Sequence, residues 1–214
     1  MRAGQEDGVQ TDTAHPAGLD LLASRRTVRF YRAEPVPDRL VHALLTAAQA
    51  APSAHNAQSS RFVVITAPDV KRRFAERMAR RWRRDLERSG AAEAAIKVEL
   101  RFSLRRFGEA PVLILVGYTM ADMDRYPDRR RQRAEETMAV QSAAAAVQNL
   151  LLAASAHGLG ACWCCAPLFA PTETRRALGL PRTFVPQALL TIGYPAHHPP
   201  VPPRKPLESV ATFL

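Results

Sequence analysis

Apolar residues recur along this chain with two periods, and the switches between them mark out its elements. From Asp38 to Ala50 the positions Leu40, Val41, Leu44, Leu45 and Ala48 return at helical spacing behind the start signals Pro37 and Asp38, which predicts a helix. It stops at Ala51-Pro52-Ser53, an irregular loop runs to Arg61, and the run Phe62 to Thr66 predicts a strand closed by Ala67-Pro68-Asp69. Val70, Phe74, Met78, Trp82 and Leu86 lie four residues apart. They form an apolar stripe on a helix whose other faces carry Lys71 and the arginines from Arg72 to Arg88. A further helix is predicted over 93 to 107, and Pro111 to Gly117 reads as a strand covered on both faces.

Glu135 to Ala156 combines strong helix formers with a small or apolar surface and ends at His157-Gly158, a natural C-cap. A helix this oily belongs at the centre or at a subunit interface. A short apolar run from Ala161 to Ala166, a helix near Thr172 to Leu178 and a strand from Gln187 to Gly193 follow. Pro195, Pro199, Pro200, Pro202, Pro203 and Pro206 then force the tail into an extended path with few ladder bonds. Strands and helices interleave without an even βαβ rhythm, which predicts an α+β fold around a small central sheet. Residues 1–18 are too polar to offset their ordering entropy and read as a flexible arm, leaving 19–214 as a single domain.

Composition adds charge to this picture. Hydrophobic residues make up 47% and charged residues 23% of the 214, which excludes disordered, collagenous and disulfide-scaffold classes. Thirty Lys and Arg against 20 Asp and Glu give a net charge of +10, so the chain should attract an anion: nucleic acid, a phosphorylated cofactor or an acidic metabolite. The three cysteines, Cys162, Cys164 and Cys165, are too close and too odd in number for a comfortable mutual disulfide, which favours a reducing cytoplasm. The first twenty residues lack the apolar core of a signal peptide. The longest strongly apolar stretches, Pro111 to Tyr118 and Leu150 to Ala156, fall short of the roughly 20 residues that span a bilayer. A soluble, cytoplasmic protein is the expectation.

There is no GxGxxG or GxxxxGK[ST] loop, HExxH, GxSxG or paired CxxC, which removes classical dinucleotide folds, zinc enzymes and serine hydrolases. Cys162-Trp163-Cys164-Cys165 invites a metal, yet adjacent strand residues point to opposite faces, and small residues packing a tight strand account for it as well. No metal is expected. His197-His198 reads as a ligand pair or as solvated polar surface. The basic helix could grip nucleic acid phosphates or present a solvated face. Placing Phe74 and Trp82 on the buried stripe argues against base stacking.

Three separated segments fit together better. Arg25-Arg26-Thr27-Val28-Arg29, behind Ser24, packs three guanidiniums and a hydroxyl into five positions, and planar Arg forks suit a phosphate dianion. Arg204-Lys205 in the tail could close on the same anion. Between them lies the polar loop Ala51-Pro52-Ser53-Ala54-His55-Asn56-Ala57-Gln58.

The ordered set RRTVR, APSAHNAQ before FVVI, AVQNLLLAASAHGLGACW, IGYP and RKPLE resembles the FMN-dependent nitroreductase family over nearly the whole chain after Asp20. Within that family it is most similar to the reductase domain at the C-terminus of the bifunctional enzyme that matures the deazaflavin coenzyme F420. The points of contact are Arg81-Trp82-Arg83-Arg84-Asp85-Leu86, Tyr126-Pro127-Asp128, Ala134 to Met138 and the Gly-Leu-Gly-Ala-Cys-Trp turn. The resemblance implies a mostly antiparallel sheet flanked by helices, in an intertwined homodimer whose C-terminal tail wraps the partner. Arg25, Arg26, Thr27 and Arg29, with Arg204 and Lys205, would hold the FMN phosphate and ribityl chain. Pro52, Ser53, Ala54 and Asn56 would reach flavin held mainly by the other subunit, and Cys164 and Cys165 would meet the ring through their main chain.

The implied activity is an FMN oxidoreductase, with NAD(P)H as a candidate donor, that saturates a carbon-carbon double bond in a dehydro precursor of the coenzyme. Flavin would carry the hydride, with no catalytic side chain named. Arg77, Arg81, Arg84 and Asp85 would face this anionic substrate, and a glutamate ligase would be a separate partner. The alternatives are a general NAD(P)H-dependent nitro or quinone reductase and, in another class, a basic nucleic-acid-binding domain. Gln58-Ser59-Ser60 stands where family members often carry Gln-Pro-Trp, and Cys164-Cys165 where they carry Ile-Gly. The first departure opens space near the flavin.

Overall fold

A computed structural model describes residues 17–214. The expected arm lies outside the described residues except for Ala17 and Gly18, which open a helix the periodicity did not predict, α1 (Ala17–Ser24). The other helices are α2 (Asp38–Gln49), α3 (Pro68–Arg88), α4 (Glu93–Glu109), α5 (Arg129–Ala156), the single turn α6 (Ala166–Phe169) and α7 (Pro171–Leu178). Four strands, β1 (Ser60–Ile65), β2 (Val112–Tyr118), β3 (Gly160–Cys164) and β4 (Val185–Gly193), pair in the order β1-β2-β4-β3, every pair antiparallel. The α+β expectation with a small sheet is met.

β2 is buried along its whole length because both faces of the sheet are covered. Val112, Ile114 and Val116 join Leu44 of α2 and Val147 and Leu150 of α5 on one side. Leu113 and Leu115 join Phe74 and Met78 of α3 and Phe107 of α4 on the other. Alternation along a strand therefore feeds two cores, which is why the run carries no polar positions. α5 is long and apolar enough by length and composition to cross a membrane, with an 18-residue window of mean hydropathy 1.2. Yet 44% of that window is buried within the fold, against the sheet.

Where element ends differ from expectation, pairing or capping explains it. β4 begins at Val185, two residues early, because Pro186 sits opposite Gly117 at a register shift where a ladder tolerates proline. A Cβ on Gly117 would stand 2.6 Å from the Val185 carbonyl oxygen, so only glycine permits the approach. α5 begins six residues early, at Arg129, because the Asp128 carboxylate accepts from the Arg131 N–H at 2.9 Å and caps it. Lys71, expected on the basic outer face, is instead buried, and its ammonium donates to the Ala110 and Pro111 carbonyls at 2.6 and 3.0 Å. Trp82 is 37% exposed and not on a buried stripe. Residues four apart on a helix of 3.6 per turn precess by about 40° each step, so the row that buries Phe74 has turned outward by Trp82.

After α1 the chain runs along the free edge of β3. Thr27 forms a parallel bridge with Ala161, and the Val28 N–H donates to the Ala161 carbonyl at 3.0 Å. Tyr31 fastens this segment to the sheet: its hydroxyl lies 2.6 Å from the Val28 carbonyl oxygen, 2.8 Å from that of Thr191 and 2.7 Å from the buried Thr191 Oγ1. Burial pushes the Tyr31 phenol well above its ordinary value. As pH rises past about 10, the unfolded chain releases this proton and the folded one keeps it, so folding stability falls there. Tyr31→Phe should cost about 1–3 kcal/mol in urea unfolding at neutral pH and flatten the alkaline fall. A wild-type curve from the variant would contradict the anchoring role.

Candidate functional site

The edge pairing decides where the arginines of the first motif go. Val28 turns inward, and a Cβ on Gly160 would meet the Val28 Cβ at 2.6 Å, so the missing side chain at Gly160 lets the segment lie flat on β3. Its neighbour Arg29 turns outward into a cavity of about 460 Å³ beside the end of β3. Arg81, Trp82 and Asp85 of α3, Arg106 of α4, and Trp163, Cys164, Cys165 and Phe169 complete its walls. Arg25 is half-buried just behind this edge. Arg26 folds back, donating to the carbonyls of Ala23 at 2.6 Å and Arg25 at 2.9 Å, so it braces the end of α1.

Electrostatics separate the cationic groups. Arg81 binds Asp85 through Nε at 2.9 Å and Glu173 through Nη1 at 3.5 Å. The Arg81 guanidinium holds the Asp85 carboxyl below the usual carboxylate range, and Asp85 in turn raises Arg81. Among the described residues the ion pairs include neither Arg29 nor Arg106, so these two supply the cavity's uncompensated positive charge. Arg106 was missed in the sequence. Its signal was its place beside Ser103 and Phe107, which are buried and set the inward face of α4.

Arg77 and Arg84, expected to face substrate, do not line the cavity. Arg84 is exposed, with its Nε 3.4 Å from the Arg80 carbonyl. Much of the basic face of α3 is already paired, along the helix from Arg73 to Asp69, Arg80 to Glu76 and Arg83 to Glu87, and from Arg83 across to Glu93 of α4, which fits a solvated face better than a phosphate track. Arg204 and Lys205 are exposed in the tail, and the Arg204 guanidinium donates to the Pro203 carbonyl at 3.3 Å.

The loop after α2 builds a second cavity, of about 480 Å³, lined by Pro52 and Ser53 together with His42, Gln49 and Arg61. The Ser53 hydroxyl accepts from the Gln58 N–H at 3.0 Å, and the Ala54 N–H donates to Ser142 Oγ of α5 at 3.1 Å. His55, Asn56 and Gln58 have φ of 55°, 51° and 48°, a left-handed conformation that is unfavourable for residues with a Cβ and that the fold must impose. No residue lines both cavities. A single chain therefore does not bring Pro52, Ser53, Ala54 and Asn56 into the cavity that Arg29 enters.

The thiols, which sequence reasoning left without a role, face the first cavity. Cys162 and Cys164 share one face of β3 with their sulfurs 3.7 Å apart. A hydrogen bond from the Cys164 thiol pulls Cys162 down to about 7, with Arg29 and Arg106 adding to the effect. The same hydrogen bond, from its own side, and then burial push Cys164 up. In a Cys165→Ser background, thiolate absorbance near 240 nm should rise with a midpoint near 7. Cys164→Ala, which removes the donor, should move that midpoint upward. An unmoved midpoint would sink this reading of the pair.

Comparison with known proteins places this geometry in context. The chain is 32% identical over 215 residues to a Thermus thermophilus NADH dehydrogenase, covering 88% of this chain and 92% of that protein. It is also 32% identical over 201 residues to the 5,6-dimethylbenzimidazole synthase of Rhodospirillum rubrum, covering 89% and 88%. A structure described as a nitroreductase in complex with FMN, from Desulfovibrio desulfuricans, superposes with a TM-score of 0.70 at 28% identity, covering 94% of this chain and 98% of that one. A BluB-like flavoprotein from Clostridium difficile gives 0.75 at 25%, covering 92% and 98%. Residues 22–194 match the model of the nitroreductase family, and the chain belongs to that family.

Proposed function

We propose that this chain is an FMN-dependent oxidoreductase that works as a homodimer and reduces a carbon-carbon double bond in a dehydro precursor of the deazaflavin coenzyme F420. The observation that carries the flavin reading is the Arg25 to Arg29 segment laid along the free edge of β3, with Arg29 entering a cavity walled by Trp82 and Trp163. Guanidinium forks suit a phosphate, and aromatic walls suit a flat ring system. The residues present fit FMN. Arg25, Thr27 and Arg29 would hold its phosphate and ribityl chain, and the main chain at Cys164 and Cys165 would meet the ring. Bound FMN supplies two-electron chemistry by hydride transfer at its N5.

Two observations support the dimer. Pro52 and Ser53 line a cavity separate from the one Arg29 enters, an arrangement that a second copy of the chain, presenting its own Pro52 to Asn56 loop, would complete. The tail also leaves Val201, Leu207, Val210 and Phe213 largely exposed, an apolar strip that a partner subunit would cover. For the substrate, Arg29 and Arg106 leave the cavity positive, which favours an acceptor carrying phosphodiester and carboxylate groups.

A second reading, a general NAD(P)H-dependent nitro or quinone reductase, draws support from relatives described as NADH dehydrogenase and NAD(P)H nitroreductase. The two separate when flavin-loaded protein is reduced with NADH or NADPH and offered a nitroaromatic or the dehydro-deazaflavin. The proposal expects faster turnover of the deazaflavin. Arg106→Glu should raise its KM by about tenfold or more at low ionic strength, shrinking with added salt, while the KM for a neutral nitroaromatic stays put. Efficient nitroaromatic turnover with an inert deazaflavin would favour the second reading.

A further inference from the structure

Two charged side chains are buried among the described residues, and the fold treats them differently. Lys71 has both its carbonyl acceptors. Glu135, 2% exposed in the second turn of α5, has one oxygen 3.4 Å from His55 Nε2 and a second, Oε2, with no hydrogen-bond partner among the described residues. A carboxylate withdrawn from water this completely needs compensation that one half-exposed imidazole does not give.

The missing compensation has a natural shape. A His55 ring nitrogen, an Asp124 carboxylate oxygen and a Glu135 carboxylate oxygen all lie within 4.8 Å of one another. They come from three parts of the chain: the turn Ala54–Asn56, the connection from β2 to α5, and α5 itself. Metal bonds of about 2.0–2.2 Å hold neighbouring ligand atoms about 3–4 Å apart, so the cluster needs to close by only about 1 Å. Two of its three side chains are exposed and able to move. Two carboxylates would cancel a divalent charge, leaving a neutral centre that tolerates the burial of Glu135.

We propose that His55, Asp124 and Glu135 hold a divalent cation, with solvent filling the remaining positions. One imidazole nitrogen and two carboxylate oxygens suit Mn²⁺, Fe²⁺ or Zn²⁺ over the larger, all-oxygen Ca²⁺. The ion would tie the turn carrying Ala54 and Asn56 to α5 across the small apolar cluster of Tyr118, Met123 and Ala139. Its role is to set the conformation of that loop.

Chelator-treated full-length protein titrated with Mn²⁺, followed by the electron paramagnetic resonance of the free ion, tests this without FMN or substrate. Mn²⁺ is chosen because thiols hold it poorly, so Cys162 and Cys164 do not compete. The expected result is saturable binding near one ion per chain, weakened about tenfold or more in Asp124→Asn and in His55→Ala, with a Mn²⁺-dependent rise in Tm in the wild type alone. Both substitutions are at exposed side chains and spare the fold; Glu135→Gln should abolish binding where it folds. Absence of a saturable site would overturn the proposal, as would an unchanged affinity in both surface variants, which would place the ion elsewhere, for example at His197 and His198.

Discussion

The cavity that Arg29 enters depends on one backbone pairing, the contact of Thr27 and Val28 with Ala161 on the free edge of β3. It exists because Gly160 has no side chain to hold Val28 away and because the Tyr31 hydroxyl binds both Val28 and Thr191. Period-two alternation does the rest. With Val28 committed to the interior, Arg29 points outward to where β3 ends, and α3 and α4 bring Trp82 and Arg106 against it. A charge cluster unremarkable as sequence thereby puts one of its members, Arg29, into the wall of a cavity.

The same logic accounts for what the sequence disclosed about the fold. Leu40 to Ala48 and Val112 to Tyr118 announced their elements because each buries a regular face, and regular burial is what periodicity records. The ends were less legible. Pro186 argues against a strand until Gly117 is seen opposite it, and Asp128 is an ordinary loop residue until its carboxylate meets the Arg131 N–H. Lys71 looked like surface charge because nothing local reveals that α4 ends its carbonyls beneath it.

At the site, residue types were more legible than partnerships. Arg29, Cys164, Cys165, Arg81 and Asp85 do gather around one cavity. Arg77 and Arg84 share the basic helix with Arg81, but a helix points its residues in all directions, and neither lines the cavity. Arg81 lies in the right place with its charge already answered by Asp85 and Glu173, a long-range pairing invisible in sequence. Arg106 of α4, rather than the outer face of the basic helix, brings unpaired positive charge to the cavity. Pro52 to Gln58 form a loop with left-handed backbone at His55, Asn56 and Gln58, and its Pro52 and Ser53 line a different cavity, a separation that the proposed two-fold partner would reconcile with one cofactor site.

The central claim is that the β3 edge turns Arg25 and Arg29 into an anchor for a flavin phosphate. The most direct test is a visible-absorption titration of FMN-stripped protein with FMN, wild type beside Arg25→Glu/Arg29→Glu, in mild salt. Saturable binding near one FMN per chain in the wild type, with affinity lost by about a hundredfold in the double variant, is the predicted result. Indifference to FMN in the wild type, or equal affinity in both proteins, would contradict it.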